Sequence, residues 1–316
     1  MKNHATTGKV AIIGAGNVGS TTAYALMLNG AVSEIALIDA QKEKAEGEVF
    51  DLSDCMQFVP HVTKLVAGSS YELVQGADVV IIAAGSRQKS GESRTDLLET
   101  NVKVFKEIIP AIVSYNKDCI LLVVTNPLDV LTYVAWKLSN FSSCRVFGTG
   151  TVLDTARLRY LLGNRFQVSP KDIVAYVLGE HGDSEFVWWS RANIAGIPLD
   201  RFTGYTPQLC NEIAEATKSV AYEIIAKKGA TFYAIALSIT KIVRSIILNQ
   251  PRVFTVSSVM HEAYDVGDVC LSLPTIIRRS GICESLAIDL NEQEQTMLQQ
   301  SSQKIYQGIQ KALSLL

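Results

Sequence analysis

What is scarce in this chain narrows its class before any motif is read. No apolar run approaches the roughly 20 residues a membrane span needs; the longest, such as Asp78–Ala84 and Cys119–Val124, are strand-sized. The opening MKNHATTG lacks an apolar leader, so no secretory signal is expected and the acceptor triplet Asn140-Phe141-Ser142 carries no weight. Neither sign of charge dominates: 29 Lys and Arg face 31 Asp and Glu, which leaves no basic footprint for nucleic acid or an anionic membrane. The six cysteines (55, 119, 144, 210, 270 and 283) show no CxxC and no paired spacing of a zinc site, and are expected as reduced thiols. Internal repeats and low-complexity segments are missing too. These absences predict a cytoplasmic protein that binds neither nucleic acid nor membrane and holds no metal. At 316 residues, with 48% apolar and 19% charged positions, the chain can build two domains with a core each.

The first half alternates short β-branched runs with amphipathic stretches. Strands are predicted at Lys9–Ile13, Glu34–Asp39, Thr63–Ala67, Asp78–Ala83, Cys119–Val124 and Arg145–Phe147, with helices among Gly19–Leu28, Lys42–Asp54 and Glu99–Tyr115. Six strands with helical crossovers are what a doubly wound parallel (Rossmann) sheet requires. Beyond Gly148 the pattern changes to longer helices (Leu153–Leu162, Leu209–Lys227, Thr231–Asn249) and antiparallel-looking pieces, Val253–Val259 and Val269–Ile276. A final helix is capped by Asn291 with Glu294 three residues on. The fold expected is α/β, a Rossmann domain over residues 1–147 followed by an α+β substrate domain over 148–316.

Gly14-Ala15-Gly16-Asn17-Val18-Gly19 follows the first strand and opens a helix. The first glycine suits the tight turn, the second lets backbone approach a pyrophosphate, and the third permits close helix–strand packing. Asp39, 20 residues after Gly19, is placed to take ribose hydroxyls and to repel a 2′-phosphate, which favours NAD over NADP. Taken alone, the same pattern also fits an ordinary strand–turn–helix. The second signal is Gly179-Glu180-His181-Gly182-Asp183, directly after the apolar run Ile173–Leu178, which is expected to form one strand. Histidine exchanges protons near neutral pH, and flanking glycines let its backbone come close to a ligand.

Together with AGSRQKSGESR, TNPLDV and VLDTARLR, these motifs make the chain resemble the lactate/malate dehydrogenase family, on its lactate dehydrogenase side, over nearly its whole length. The resemblance implies NAD as cofactor, held by Gly14, Gly16, Asn17, Val18, Gly19, Asp39, Ala84, Gly85 and Asn126. It implies reversible hydride transfer between a 2-oxo and a 2-hydroxy acid, with His181 as general acid and base oriented by Asp154. Arg157 would grip the substrate carboxylate; Arg94, on a closing loop spanning Gly85–Arg94, would polarise the carbonyl. Asn126 and Thr231 would line the substrate pocket. Each residue also has a plain structural reading: a helix N-terminal carboxylate for Asp154, a surface ion pair for Arg157, a solvated loop for Arg94 and a helix-start hydroxyl for Thr231.

Gln88 discriminates between substrates. A neutral amide there cannot compensate the second carboxylate of oxaloacetate, whereas pyruvate presents only a methyl group, so pyruvate and L-lactate are expected. Flanking Arg87 and Lys89 leave room for a register shift that presents a cation instead. The chain departs from the family's usual pattern at Ala230, Tyr233 and in the missing proline after Ser184, which bears on pocket size. Arg159 matches one cation of the sugar-bisphosphate site of activated relatives, but Val174 stands where a histidine would supply the other, so weak or absent activation is expected. The resemblance further implies a homo-oligomer, a tetramer. The alternatives are a lactate-dehydrogenase-like malate dehydrogenase and a non-catalytic NAD-binding protein.

Overall fold

The computed structural model describes residues 8–86, 94–260, 264 and 266–316, without the side chains of Arg94 and Thr95. The first half runs β1 (Lys9–Ile13), α1 (Asn17–Asn29), β2 (Glu34–Ile38), α2 (Lys42–Asp54), β3 (Lys64–Gly68), β4 (Val79–Ile82), α3 (Arg94–Tyr115), β5 (Ile120–Val123), α4 (Leu128–Ser139) and β6 (Val146–Gly148). Then come α5 (Val152–Phe166), β7 (Ile173–Val174), β8 (Val177–Leu178), β9 (Phe186–Val187), β10 (Asn193–Ile194), β11 (Ile197–Pro198), α6 (Pro207–Lys228) and α7 (Tyr233–Ile247). The chain closes with β12 (Arg252–Met260), β13 (Val269–Arg278), β14 (Gly281–Ser285) and α8 (Glu292–Leu313).

The six predicted strands form, each within a residue or two of its expected bounds. Their parallel order, β6-β5-β4-β1-β2-β3, is that of a doubly wound Rossmann sheet. Uninterrupted apolar runs such as Val79–Ile82 reflect burial on both faces. Alternate side chains divide between two cores: Val10 and Ile12 pack on the side of α1 and α7, Ala11 and Ile13 on the side of α3, α4 and α8. The predicted antiparallel pieces Val253–Val259 and Val269–Ile276 do not make a separate sheet. β12 pairs with β6 at Ser257 and Gly148, so β12, β13 and β14 extend the parallel sheet to nine strands.

Four local expectations are corrected. The run Ile173–Leu178 is two short strands in different sheets, β7 with β10 and β8 with β9. Helix α3 begins at Arg94 rather than near Glu99, so Arg94 opens a helix instead of ending a loop. Helix α7 begins at Tyr233 with Phe232 as its cap, leaving Thr231 in the connection before it. Helix α4, absent from the sequence reading, is buried on all sides over Leu128–Ala135 and exposes Lys137 only in its last turn, so its first two turns carry little amphipathic period. The cap on α8 forms as expected, with Asn291 and Glu294 exchanging both bonds of a capping box. All six cysteines are free thiols. Among the described residues no helix is long and apolar enough to cross a membrane.

Candidate active site

The carboxyl ends of the parallel strands gather the predicted cofactor residues on one edge, where chain order reverses between β1 and β4. Gly14, directly after β1, has φ 104°, and a Cβ there would sit 2.8 Å from the amide nitrogen of Ala84 after β4. A Cβ on Gly19 would overlap the carbonyl oxygen of Gly14, so α1 can pack this closely only without a side chain. Gly16 faces open space. The amino end of α1 has no side-chain cap and no acidic residue in its first turn, which leaves its amides and positive dipole for a phosphate. Asp39, one residue past β2, accepts from the Ala15 amide at 2.7 Å and the Gln41 amide at 3.0 Å. Each of its oxygens retains a lone pair for a hydroxyl donor. Lys44 lies 3.5 Å from the same carboxylate. The cradle and this acid fit NAD.

Ser86, just past Gly85, donates its amide to the Asn101 side chain at 2.7 Å, and Asn101 in turn donates to the Asn126 carbonyl at 2.7 Å. The side chain of Asn126, exposed beyond β5, makes no hydrogen bond among the described residues. Thr231 is half-buried and likewise has no such bond. Gln88, with Arg87 and Lys89, lies outside the described residues, and so does the side chain of Arg94.

The second cluster is built on the first turn of α5 and the loop after β8. Asp154 is buried and shared: its Oδ2 stands 2.7 Å from His181 Nδ1, and its Oδ1 accepts from Arg157 Nη1 at 2.7 Å. Arg157 makes an ion pair, but with a buried carboxylate rather than the surface pair of its plain reading, and the donors it keeps beyond Nη1 have no partner among the described residues. The histidine loop is held from several sides. Gly179 exchanges backbone bonds with Ser272 of β13, Glu180 donates its amide to Ser301 of α8, and Lys304 pairs with the Glu180 carboxylate at 2.7 Å. The His181 amide donates to Asp129 at 2.8 Å. Asp129 lies in the first turn of α4, directly after Asn126-Pro127, so this bond ties the histidine loop to the carboxyl edge that carries the cofactor residues.

Charge follows from this packing. Burial alone would lower the imidazole's pKa; the charge and hydrogen bond of Asp154, with Glu185 and Asp129 behind, overcome it and raise it to about 9. Burial opposes ionisation of Asp154 too, but His181 and Arg157 hold its carboxyl below the ordinary value. Two acids that the sequence reading did not single out share the site. Asp129 accepts from Ser257 at 2.6 Å as well as from His181, yet burial raises it to about 6. Glu185 brings a carboxyl oxygen to the Asp154–His181 pair, all within 4.8 Å of one another. Both left a signal in the sequence, since each is a lone acid in an apolar stretch, Leu128–Ala135 and Glu185–Trp189. Arg159 is committed elsewhere, to the Ala175 carbonyl at 3.0 Å and the Tyr176 ring.

A Rossmann sheet with an NAD cradle, joined to a second unit that contributes a histidine, a carboxylate and an arginine, defines a two-unit NAD-dependent dehydrogenase. The chain belongs to the lactate/malate dehydrogenase family. The family's NAD-binding domain matches residues 8–148 and its α/β C-terminal domain residues 151–316. It is 51% identical to an L-lactate dehydrogenase of Acetivibrio thermocellus over 307 residues, 95% of this chain and 96% of that one. An L-lactate dehydrogenase of Clostridium botulinum is 46% identical over 314 residues, 98% of each chain. Among solved structures it resembles a lactate dehydrogenase from a Medee basin deep-sea metagenome library (TM-score 0.94, 38% identity, 98% of this chain and 100% of that one). The minor L-lactate dehydrogenase of Enterococcus mundtii is similarly close, with TM-score 0.93 and 36% identity over 97% and 98% of the two chains.

Proposed function

We propose that this chain is an NAD-dependent L-lactate dehydrogenase that interconverts pyruvate and L-lactate. The observation that carries the reading is the buried Asp154, held 2.7 Å from both His181 and Arg157. It sets a proton donor beside a cation suited to a carboxylate. NAD, when bound, supplies or accepts the hydride. Gly14, Gly16, Asn17, Val18, Gly19, Asp39, Ala84, Gly85 and Asn126 would hold it, the glycine turn taking its phosphates and Asp39 its ribose hydroxyls.

His181, with Nδ1 held by Asp154, presents Nε2 to the substrate and protonates the keto oxygen. In the reverse direction the same nitrogen removes the hydroxyl proton. Arg157 binds the substrate carboxylate with its unused donors. Arg94, the first residue of α3, polarises the carbonyl. Asn126 and Thr231 line the pocket, and Gln88 faces the substrate's methyl group. Residues 1–147 form the NAD-binding unit and 148–316 the substrate unit.

The enzyme is placed in the cytoplasm as a homo-oligomer, a tetramer. Phe50, Phe58 and Val62 support the assembly, being exposed by 71%, 83% and 80% in the single chain. Sugar-bisphosphate activation is weak or absent, given Val174 at the surface and Arg159 already engaged. The decisive experiment compares NADH oxidation with pyruvate and with oxaloacetate at equal enzyme. A pyruvate preference of about 10²–10⁴ is expected from the cost of an unpaired second carboxylate. An oxaloacetate preference would make the chain a malate dehydrogenase on the same scaffold.

A further inference from the structure

Glu185 has no part in the chemistry above, yet its side chain lies inside the site. The residue is 5% exposed and follows the histidine loop by two positions. A carboxyl oxygen lies within 4.8 Å of ligating atoms of both Asp154 and His181. Its side chain has no hydrogen bond and no ion pair within 4.0 Å among the described residues. A buried carboxylate in that position would be costly, because nothing compensates it directly.

The charged groups that face it decide the matter. Asp154 and Arg157 approach from α5, His181 from its own loop and Lys218 from α6. Lys218 sits near the rim, its amine 3.4 Å from the carbonyl oxygen of Asp183. A carboxylate bound on Arg157 adds a second anion, after Asp154, beside Glu185 and raises the cost of its ionised form.

We propose that Glu185 sets the charge of the substrate site: the pocket accepts a monoanion with this carboxyl neutral, so substrate binding draws a proton from solvent onto Glu185. Burial and the Asp154 charge support this, raising Glu185 to about 8 against the pull of His181, Lys218 and Arg157. A group that titrates there changes its proton occupancy when an anion binds beside it. The inference rests on the pyruvate/L-lactate reading.

The test is proton uptake when oxamate, an unreactive monoanionic isostere of pyruvate, binds the enzyme–NADH complex. It is followed with an indicator dye in weak buffer near pH 8.5. The wild type is expected to take up about one proton per site, shared between Glu185 and the partly deprotonated His181. Glu185→Gln, nearly isosteric, should take up less than half as many, the remainder belonging to His181. In the wild type itself, infrared difference spectra should gain a protonated-carboxyl band on oxamate binding at that pH. Equal uptake in wild type and variant, or no such band, overturns the role of Glu185. A wild-type enzyme that neither binds oxamate nor oxidises NADH with pyruvate would instead overturn the substrate reading.

Discussion

Asp154 uses both carboxylate oxygens, one at 2.7 Å from His181 Nδ1 and the other at 2.7 Å from Arg157 Nη1. Orientation of the imidazole and of the guanidinium therefore depends on one buried side chain. Its position in the first turn of α5 puts Arg157 on the same helix face, while the loop after β8 brings His181 to it.

Removing that charge should uncouple the histidine. Asp154→Asn is expected to bring the His181 pKa down towards 6.5 and to cut kcat/KM for pyruvate at pH 7.5 by about 10²–10⁴-fold. The check is a full pH–rate profile. In the wild type, reduction needs protonated His181, so its rate holds from neutral pH and falls through about 9, while oxidation rises over the same range. The variant should lose activity in the reducing direction at lower pH; an unmoved limb would mean that Asp154 does not set the titration.

The same pairing carries a stability signature. Because the folded pKa of His181 lies above its unfolded value of 6.5, its contribution is fully present below about pH 6.5 and is lost as pH rises through about 9. Denaturant midpoints of the wild type and Asp154→Asn should therefore differ most in mildly acidic solution and converge by alkaline pH. The reverse trend would contradict the pairing.

Arg157→Lys keeps the charge but loses the planar fork. The expected result is a pyruvate KM raised by about 10²–10³-fold, since lysine cannot keep the Asp154 bond and also grip the carboxylate with two parallel donors. Steady-state kinetics with pyruvate at saturating NADH would read this. An unchanged KM would confine Arg157 to its ion pair with Asp154.

Asp39→Asn should weaken NADH binding by roughly tenfold, about the worth of one hydrogen bond to a charged acceptor, and narrow the preference over NADPH. Lys44, 3.5 Å from Asp39, would then be released towards a 2′-phosphate. Titrating NADH and NADPH fluorescence against both proteins decides it, and an unaltered ratio would place Asp39 outside the ribose site.

Gln88→Arg is expected to move preference towards oxaloacetate, as a cation meets the second carboxylate. Comparing kcat/KM for both keto acids gives the answer; a constant ratio would show that residue 88 does not face the substrate.

Much of this was legible in the chain itself, and what was not has a common cause. Val79–Ile82 and Ile120–Val123 announced buried parallel strands because a strand covered on both faces needs apolar side chains throughout. Gly14 and Gly19 announced the nucleotide turn because only glycine fits where β1, α1 and the strand end at Ala84 converge. The run Ile173–Leu178 misled, since a continuous apolar segment reads as one strand whether or not it changes sheets midway. Helix α4 was hidden by its own burial. Asp129 and Glu185 escaped because a lone acid in an apolar stretch shows that something is unusual without showing what it meets.

The sequence by itself determined the strand order's raw material, the glycine cradle, the acid at Asp39 and the histidine of the Gly179–Asp183 segment. Local spacing and side-chain chemistry are sufficient for each of these. Tertiary structure alone decided that β12, β13 and β14 extend the parallel sheet, and that Asp129 of α4 holds the backbone of His181. It alone decided that Asp154, Glu185 and His181 share one buried volume. Residues 129 and 154 lie far along the chain from 181 and 185, so no local period relates them, and their charges acquire their values only when packing excludes water from between them.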